Sequence, residues 1–330
     1  MILVTGSTGF VGSQLCRALV ERGQAVRAFH RSTSSLKALE DLPGDSLEHV
    51  IGDITQPETL VKAMQGVETV FHTAAVSSAM DQAGLKRVTV AGTRNVLRAA
   101  MEAGVKRVVH TSSIVAMGVP RPSPTGPNLP VNENHTWNYR PEWWPYGYAK
   151  YLAELEVQAA VARGLDVVIV NPTVIVGAGD VNLVQGGAII QVARGRAPLA
   201  VAGGLNIVHI QDVVQGHLLA MERGRCGERY ILGGENLSVA SFIALVAYLA
   251  GVRPPWLVLP GRLLRLAAGP LSFKPIHKRL PFSPDLVRMA GFYFYYDTSK
   301  AQQELGLGPP RPAHEALRDA IRYYRQRGDL

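Results

Sequence analysis

Short β-branched runs alternate with longer helical patterns through the first half of the chain. Ile2–Thr5, Ala25–His30, Leu47–Ile51, Thr69–Thr73, Arg107–Thr111 and Val167–Asn171 read as strands, most of them continuously apolar. That pattern fits parallel strands covered on both faces. Between them, helical spacing runs over Gly12–Arg22, Glu58–Gln65, Leu85–Ala103 and Ala149–Arg163. The alternation predicts an α/β fold with a doubly wound parallel sheet of Rossmann type. Ligands of such sheets sit at the carboxyl ends of the strands, where the strand order switches.

Two stretches break the alternation. Val119–Pro145 carries seven prolines and three of the four tryptophans, Trp137, Trp143 and Trp144. It is too apolar for a linker and too rich in proline for a helix, so an ordered loop over the site is expected. Gly251–Pro284 mixes proline with Trp256, Leu263, Leu264 and Leu266. These features predict a dinucleotide-binding unit over 1–172, to which the chain returns at about 205–235. A smaller α+β substrate-binding unit is expected over 173–204 and 236–330.

Composition narrows the class. A chain of 330 residues, 47% hydrophobic and 18% charged, can bury a substantial core. Cys16 and Cys226 supply neither a disulfide scaffold nor a metal-ligand cluster, so no metal is expected. A reducing cytoplasm is the simplest compartment. The start lacks the features of a signal peptide. Arg, Gly or Pro interrupts every apolar stretch before the roughly 20 residues a membrane helix needs. The net charge of +8 is scattered and no nucleic-acid motif accompanies it, so no nucleic-acid partner is expected. A membrane-surface contact through Arg253, Arg262, Arg265, Lys274, Lys278 and Arg279 is the alternative to a solvated edge.

After the first strand comes Thr5-Gly6-Ser7-Thr8-Gly9-Phe10-Val11-Gly12. Glycines at this spacing allow a tight turn and close backbone approach to a pyrophosphate, which the following helix N-terminus attracts. The second strand ends at Phe29-His30-Arg31, and no acid follows until Glu40. An acid there suits the ribose hydroxyls of NAD, whereas Arg31 suits the 2′-phosphate of NADP. Asp53 can accept from the adenine amine with Ile54 packed on the ring, or it can cap the helix near Pro57.

Tyr146 and Lys150 lie four residues apart, hence on one helical face. A phenol can give a proton to a developing alkoxide, and a nearby ammonium lowers its pKa. Thr111-Ser112-Ser113 ends the fifth strand, where a hydroxyl can bind the substrate oxygen or merely cap a turn.

Together these residues resemble the extended short-chain dehydrogenase/reductase family. The resemblance runs through Gly6, Gly9, Phe10 and Gly12, Asp53, Thr73-Ala74-Ala75, Ser113, Tyr146 and Lys150, Asn171-Pro172-Thr173, and His209–Val213. Within it, Val26–Arg31 and Tyr295–Ala301 are similar to dihydroflavonol 4-reductase-like, 3β-hydroxysteroid dehydrogenase-like and hopanoid-associated epimerase-like proteins. The resemblance implies catalysis by Ser113, Tyr146 and Lys150, and NADP as cofactor, with NAD the alternative. It implies that Asn171, Pro172 and Thr173 lie against the nicotinamide end, and a homodimer through the helices of Gly92–Ala103 and Ala149–Arg163. Thr89 stands where relatives often carry an Asn that positions the lysine and a water.

The expected activity is reduction of a fairly apolar ketone or aldehyde, or oxidation of the alcohol. A nucleotide-sugar epimerase or dehydratase is the alternative. Against it stand Arg31, and Asn206 where epimerases often place an arginine on the diphosphate; for it stand Asn182-Leu183 and the pair Arg194 and Arg196. A non-catalytic NADP(H) sensor is a third reading.

Overall fold

The computed structural model describes residues 1–76, 81–121, 129–183, 186–261 and 288–330. The chain opens with β1 (Ile2–Thr5), buried throughout, and turns into α1 (Phe10–Glu21). β2 (Val26–His30), β3 (Leu47–Ile51), α2 (Pro57–Ala63) and β4 (Thr69–His72) follow. The sequence spacing predicts one helix over 85–103. The chain instead runs α3 (Gln82–Leu85), a π-helical turn (Lys86–Ala91) and α4 (Gly92–Glu102) end to end. At this turn Thr93 Oγ1 donates to the Thr89 carbonyl at 2.7 Å, a side-chain bond that competes with the backbone ladder.

β5 (Arg107–Thr111), α5 (Pro145–Val161) and β6 (Val167–Pro172) complete the first half. α5 starts earlier than the Ala149 predicted from spacing, because Pro145 is pre-set for a first helical turn and needs no N–H partner there. Tyr146 is therefore inside the helix with Lys150. Beyond it come β7 (Val174–Val176), α6 (Gly186–Ala193), β8 (Leu199–Val201), β9 (Gly204–His209) and α7 (Ile210–Arg223). β10 (Arg229–Leu232), β11 (Glu235–Ser238), α8 (Val239–Ala250), β12 (Leu257–Leu259) and α9 (Ala313–Arg327) finish the order.

The main sheet has seven strands in the order β10-β6-β5-β4-β1-β2-β3, every pair parallel. Side chains alternate across it. Val4, Phe71, Val109 and Val168 pack on one face with residues of α1 and α7. Leu3, Val70, Val108 and Ile169 pack on the other with α2, α4 and α5. The chain moves outward from β1 to β3, then returns to the opposite flank at β4, so the switch in strand order lies between β1 and β4. Two small sheets, β11-β9-β7 and β12-β8, stand apart from it. Val176 and Ile207 of the first share a separate apolar core with α6, α8 and α9.

Among the described residues, no helix is long and apolar enough to cross a membrane. Leu263, Leu264 and Leu266, and every residue of the basic surface except Arg253, lie outside the described residues.

Candidate functional site

The glycine turn is built by contact distances that leave no room for a side chain. Gly6 has φ +69°, and a Cβ there would lie 2.7 Å from Ala74 N. A Cβ on Gly12 would lie 2.2 Å from the Gly6 carbonyl oxygen and 2.8 Å from Thr73 Oγ1. Thr73 Oγ1 itself donates to Thr5 O at 2.7 Å, which ties the end of β4 to the turn. No side chain caps α1 at Gly9, and its first turn, Phe10-Val11-Gly12, holds no acid. Its free N–H groups and positive dipole end therefore face outward, a fitting seat for a pyrophosphate.

A groove of about 230 Å³ continues from this turn. Gly6, Thr8, Gly9, Arg31, Asp53, Ile54, Thr73, Ala74 and Ala75 all line it, as does Asn182. The exposed Arg31 has no side-chain partner among the described residues. Asp53 does not cap α2, whose N-cap is Gln56 without a side-chain bond. Its Oδ1 accepts from Thr55 N and Thr55 Oγ1, both at 2.8 Å, so the capping alternative is corrected to a local turn. Ile54 is seated by Gly92, whose missing Cβ would lie 2.6 Å from Ile54 Cδ1.

Ser113 and Lys150 lie at the carboxyl end of β5, and Tyr146 stands one turn before Lys150 on α5. Gly147 makes the approach feasible: a Cβ there would lie 3.0 Å from Val115 O, in the short 3-10 turn that follows Ser113. Lys150 is 4% exposed, and its Nζ donates to Thr111 O at 3.3 Å. Burial pushes this ammonium down to about 8, against the opposing pull of Glu154. Tyr146 is only partly covered, and its hydroxyl has no hydrogen bond among the described residues. Burial raises its pKa, so the lowering by lysine expected from the sequence does not dominate here. Ser113 Oγ accepts from Val115 N at a long 3.4 Å, a weak turn cap.

Asn171 is turned inward rather than toward the cleft. Its Nδ2 donates to Ser113 O at 3.0 Å and to Glu154 Oε1 at 2.7 Å. Pro172 is buried at the end of β6, and Thr173 N donates to Leu232 O at 3.1 Å. Thr89 is 2% exposed and its Oγ1 has no hydrogen-bond partner among the described residues. Beneath α4 and α5 runs a polar seam that the sequence reading missed. Thr5 Oγ1 meets His72 Nδ1 at 2.8 Å, and His72 Nε2 meets Thr93 Oγ1 at 3.1 Å. His110, its ring centre 5.2 Å from that of His72, is fully enclosed. Burial lowers His72 to about 3 and His110 well below the usual imidazole range, so both are neutral.

The Pro/Trp loop packs on α5. Trp137 stacks on Tyr151 with ring centres 6.0 Å apart, and Trp144 meets Phe294 edge-on at 5.9 Å. Tyr139 contacts Phe292 at 6.3 Å. Aromatic rings from two separate segments thus form a wall beside the first turn of α5. A larger cavity, about 550 Å³, lies between α1, α7 and α9. Within it Arg17 pairs with Asp41 at 2.8 Å and His209 Nε2 lies 3.3 Å from Asp319 Oδ2, and Ser113, Tyr146 and Lys150 do not line it.

Residues 2–233 match the NAD dependent epimerase/dehydratase family. Sterol demethylase protein B of Methylococcus capsulatus is 38% identical over 333 residues, covering 99% of this chain and 98% of that protein. A 3-beta-hydroxysteroid dehydrogenase of Mycolicibacterium neoaurum is 30% identical over 349 residues, covering 98% and 91%. The crystal structure of a nucleoside-diphosphate-sugar epimerase from Pseudomonas aeruginosa superposes with a TM-score of 0.81 at 26% identity, covering 100% of this chain and 98% of that one. With its parallel Rossmann-type sheet and glycine turn, the chain belongs to the NAD-dependent epimerase/dehydratase family of extended short-chain dehydrogenases/reductases, and is an oxidoreductase of that family.

Proposed function

We propose that this enzyme uses NADP(H) to reduce a ketone or aldehyde of a fairly apolar small molecule, or to oxidise the corresponding alcohol. The observation that carries the reading is the seat of Lys150. Its buried ammonium is bonded to Thr111 O, two residues before Ser113, while Tyr146 sits one turn back on the same helix.

Gly6, Gly9 and the first turn of α1 would hold the pyrophosphate of a bound cofactor, Asp53 and Ile54 its adenine, and Arg31 its 2′-phosphate; the nicotinamide would supply hydride chemistry. Ser113 Oγ donates to the substrate oxygen. Tyr146 gives that oxygen its proton as charge develops. Lys150 keeps positive charge beside the phenol, which favours the proton's departure and its return from solvent.

Three features favour reduction of an apolar substrate over sugar-nucleotide epimerisation. Asn206 is 1% exposed and its amide is spent within the protein: Nδ2 donates to Gly234 O and Asn236 Oδ1, and Oδ1 accepts from Gly234 N. It cannot grip a diphosphate without breaking the β9–β11 pairing. Arg194 likewise donates to Asp329 O at 2.7 Å. The aromatic wall offers rings where a sugar nucleotide needs charge and hydrogen bonds. Relatives named for sterols and steroids point the same way. The substrate-binding unit in this reading is formed by 173–204 and 236–330.

The test is a screen of steroid-like ketones, small aldehydes and UDP-sugars, read by NADPH and NADH oxidation for the carbonyls and by chromatography of the products for the UDP-sugars. Turnover of the ketones with NADPH is expected, and turnover of UDP-sugars alone overturns the reading. In the same assay, Arg31→Ala is expected to raise the KM for NADPH by roughly 10- to 100-fold and to spare NADH, as loss of a charged hydrogen bond dictates. An equal effect on both nucleotides contradicts the assignment.

A further inference from the structure

Glu154 is a buried acid that the mechanism above does not use. It lies one helical turn after Lys150 on α5, with 2% of its surface exposed. The neighbouring buried positions of that helix, Ala153, Val157 and Ala160, are apolar. A carboxylate in such a place is costly, and a well-packed apolar residue is often as stable or more so.

Its partners lead to the site. Glu154 Oε1 accepts from Asn171 Nδ2 at 2.7 Å, and Oε2 faces Arg229 at 3.3 Å. Asn171 Nδ2 also donates to Ser113 O at 3.0 Å. Both neighbours of that amide nitrogen are acceptors only, which fixes its orientation. One end of the Glu154 carboxylate therefore holds the backbone of Ser113 through Asn171. The other is neutralised by β10, through Arg229.

The charges around Lys150 can be enumerated. From α5 come Tyr146 and Glu154; from β4 and β5 come the neutral imidazoles of His72 and His110; from β10 comes Arg229, by way of Glu154. Glu154 is the anion of this set, and it favours the charged lysine that burial disfavours.

We propose that Glu154 is a positioning residue of the proton-transfer group, placing its charge one helical turn from Lys150 and holding Ser113 in place through Asn171. The inference rests on the roles given above to Ser113, Tyr146 and Lys150.

The test is the pH dependence of kcat for Glu154→Gln, which keeps the size and an acceptor oxygen but removes the charge. At high pH the Tyr146–Lys150 pair loses a proton as a coupled unit, which sets the basic limb. Without the anion that limb is expected to move down by about 1 pH unit, with turnover largely recovered on its acid side. A uniform fall in kcat at every pH, with the limb unmoved, overturns the proposal. If Glu154→Gln does not fold, Arg229→Met reads the same charge with opposite sign: the limb is expected to rise, and an unmoved limb overturns the proposal. Tyr146→Phe in the same assay separates the two layers. If it keeps turnover, the proton-transfer reading itself fails; if it is inactive and the Glu154→Gln limb is unmoved, only the role of Glu154 fails.

Discussion

Tyr146→Phe is expected to lower kcat by about 10²- to 10⁴-fold, the usual worth of a positioned general acid, while NADPH affinity stays close to that of the parent. The phenol is the group at stake. Phenylalanine keeps the ring, so the packing of the first turn of α5 is preserved, but it has no proton to give. The hydroxyl has no hydrogen bond among the described residues, so its removal leaves no buried partner unsatisfied and the fold is expected to persist. Steady-state kinetics and nucleotide titration on the same preparation check both halves. Unchanged turnover would instead support an NADP(H) sensor.

Gly12→Ala is expected to weaken NADPH binding by roughly 10- to 100-fold, because an added methyl group forces the glycine turn apart at about 1–3 kcal/mol. The Gly6 carbonyl oxygen and Thr73 Oγ1 would lie 2.2 and 2.8 Å from the new Cβ. The first contact is with backbone and cannot be relieved by a rotamer change. Calorimetric titration measures the loss, and a thermal melt separates it from unfolding. Parent-like affinity in a folded variant would mean that the turn does not hold the pyrophosphate.

The contrast between these two sites explains what sequence could and could not reveal. The glycine turn is legible because its chemistry is local: a strand, three glycines and a helix start define an anion seat from a dozen consecutive residues. Tyr146 and Lys150 are legible as a pair because helical spacing alone puts them on one face. Glu154 was equally available at the next turn of that spacing. An acid in a helix reads as a solvated face, however, and only packing shows that Asn171 and Arg229 have enclosed it.

The same limit hid His72 and His110. Each follows two apolar residues near the carboxyl end of its strand, and their shared burial depends on β4 and β5 pairing in register, His72 opposite His110. The π-helical turn is illegible in the sequence for another reason: apolar periodicity over Leu85–Ala103 is kept on average while one turn widens around Thr89 and Thr93. Asn206 shows the reverse case. Its identity pointed away from an arginine grip, and the pairing of β9 with β11 supplies the reason, since the amide is consumed in joining those strands.

The most direct measurement follows the label from NADPH deuterated at the reactive ring carbon, with a steroid-like ketone as the second substrate. The account predicts deuterium on the carbinol carbon of the alcohol, with one oxidised cofactor released for each alcohol formed. Retention of the label on a tightly held nucleotide, with a UDP-sugar interconverted and no net cofactor consumed, would contradict it.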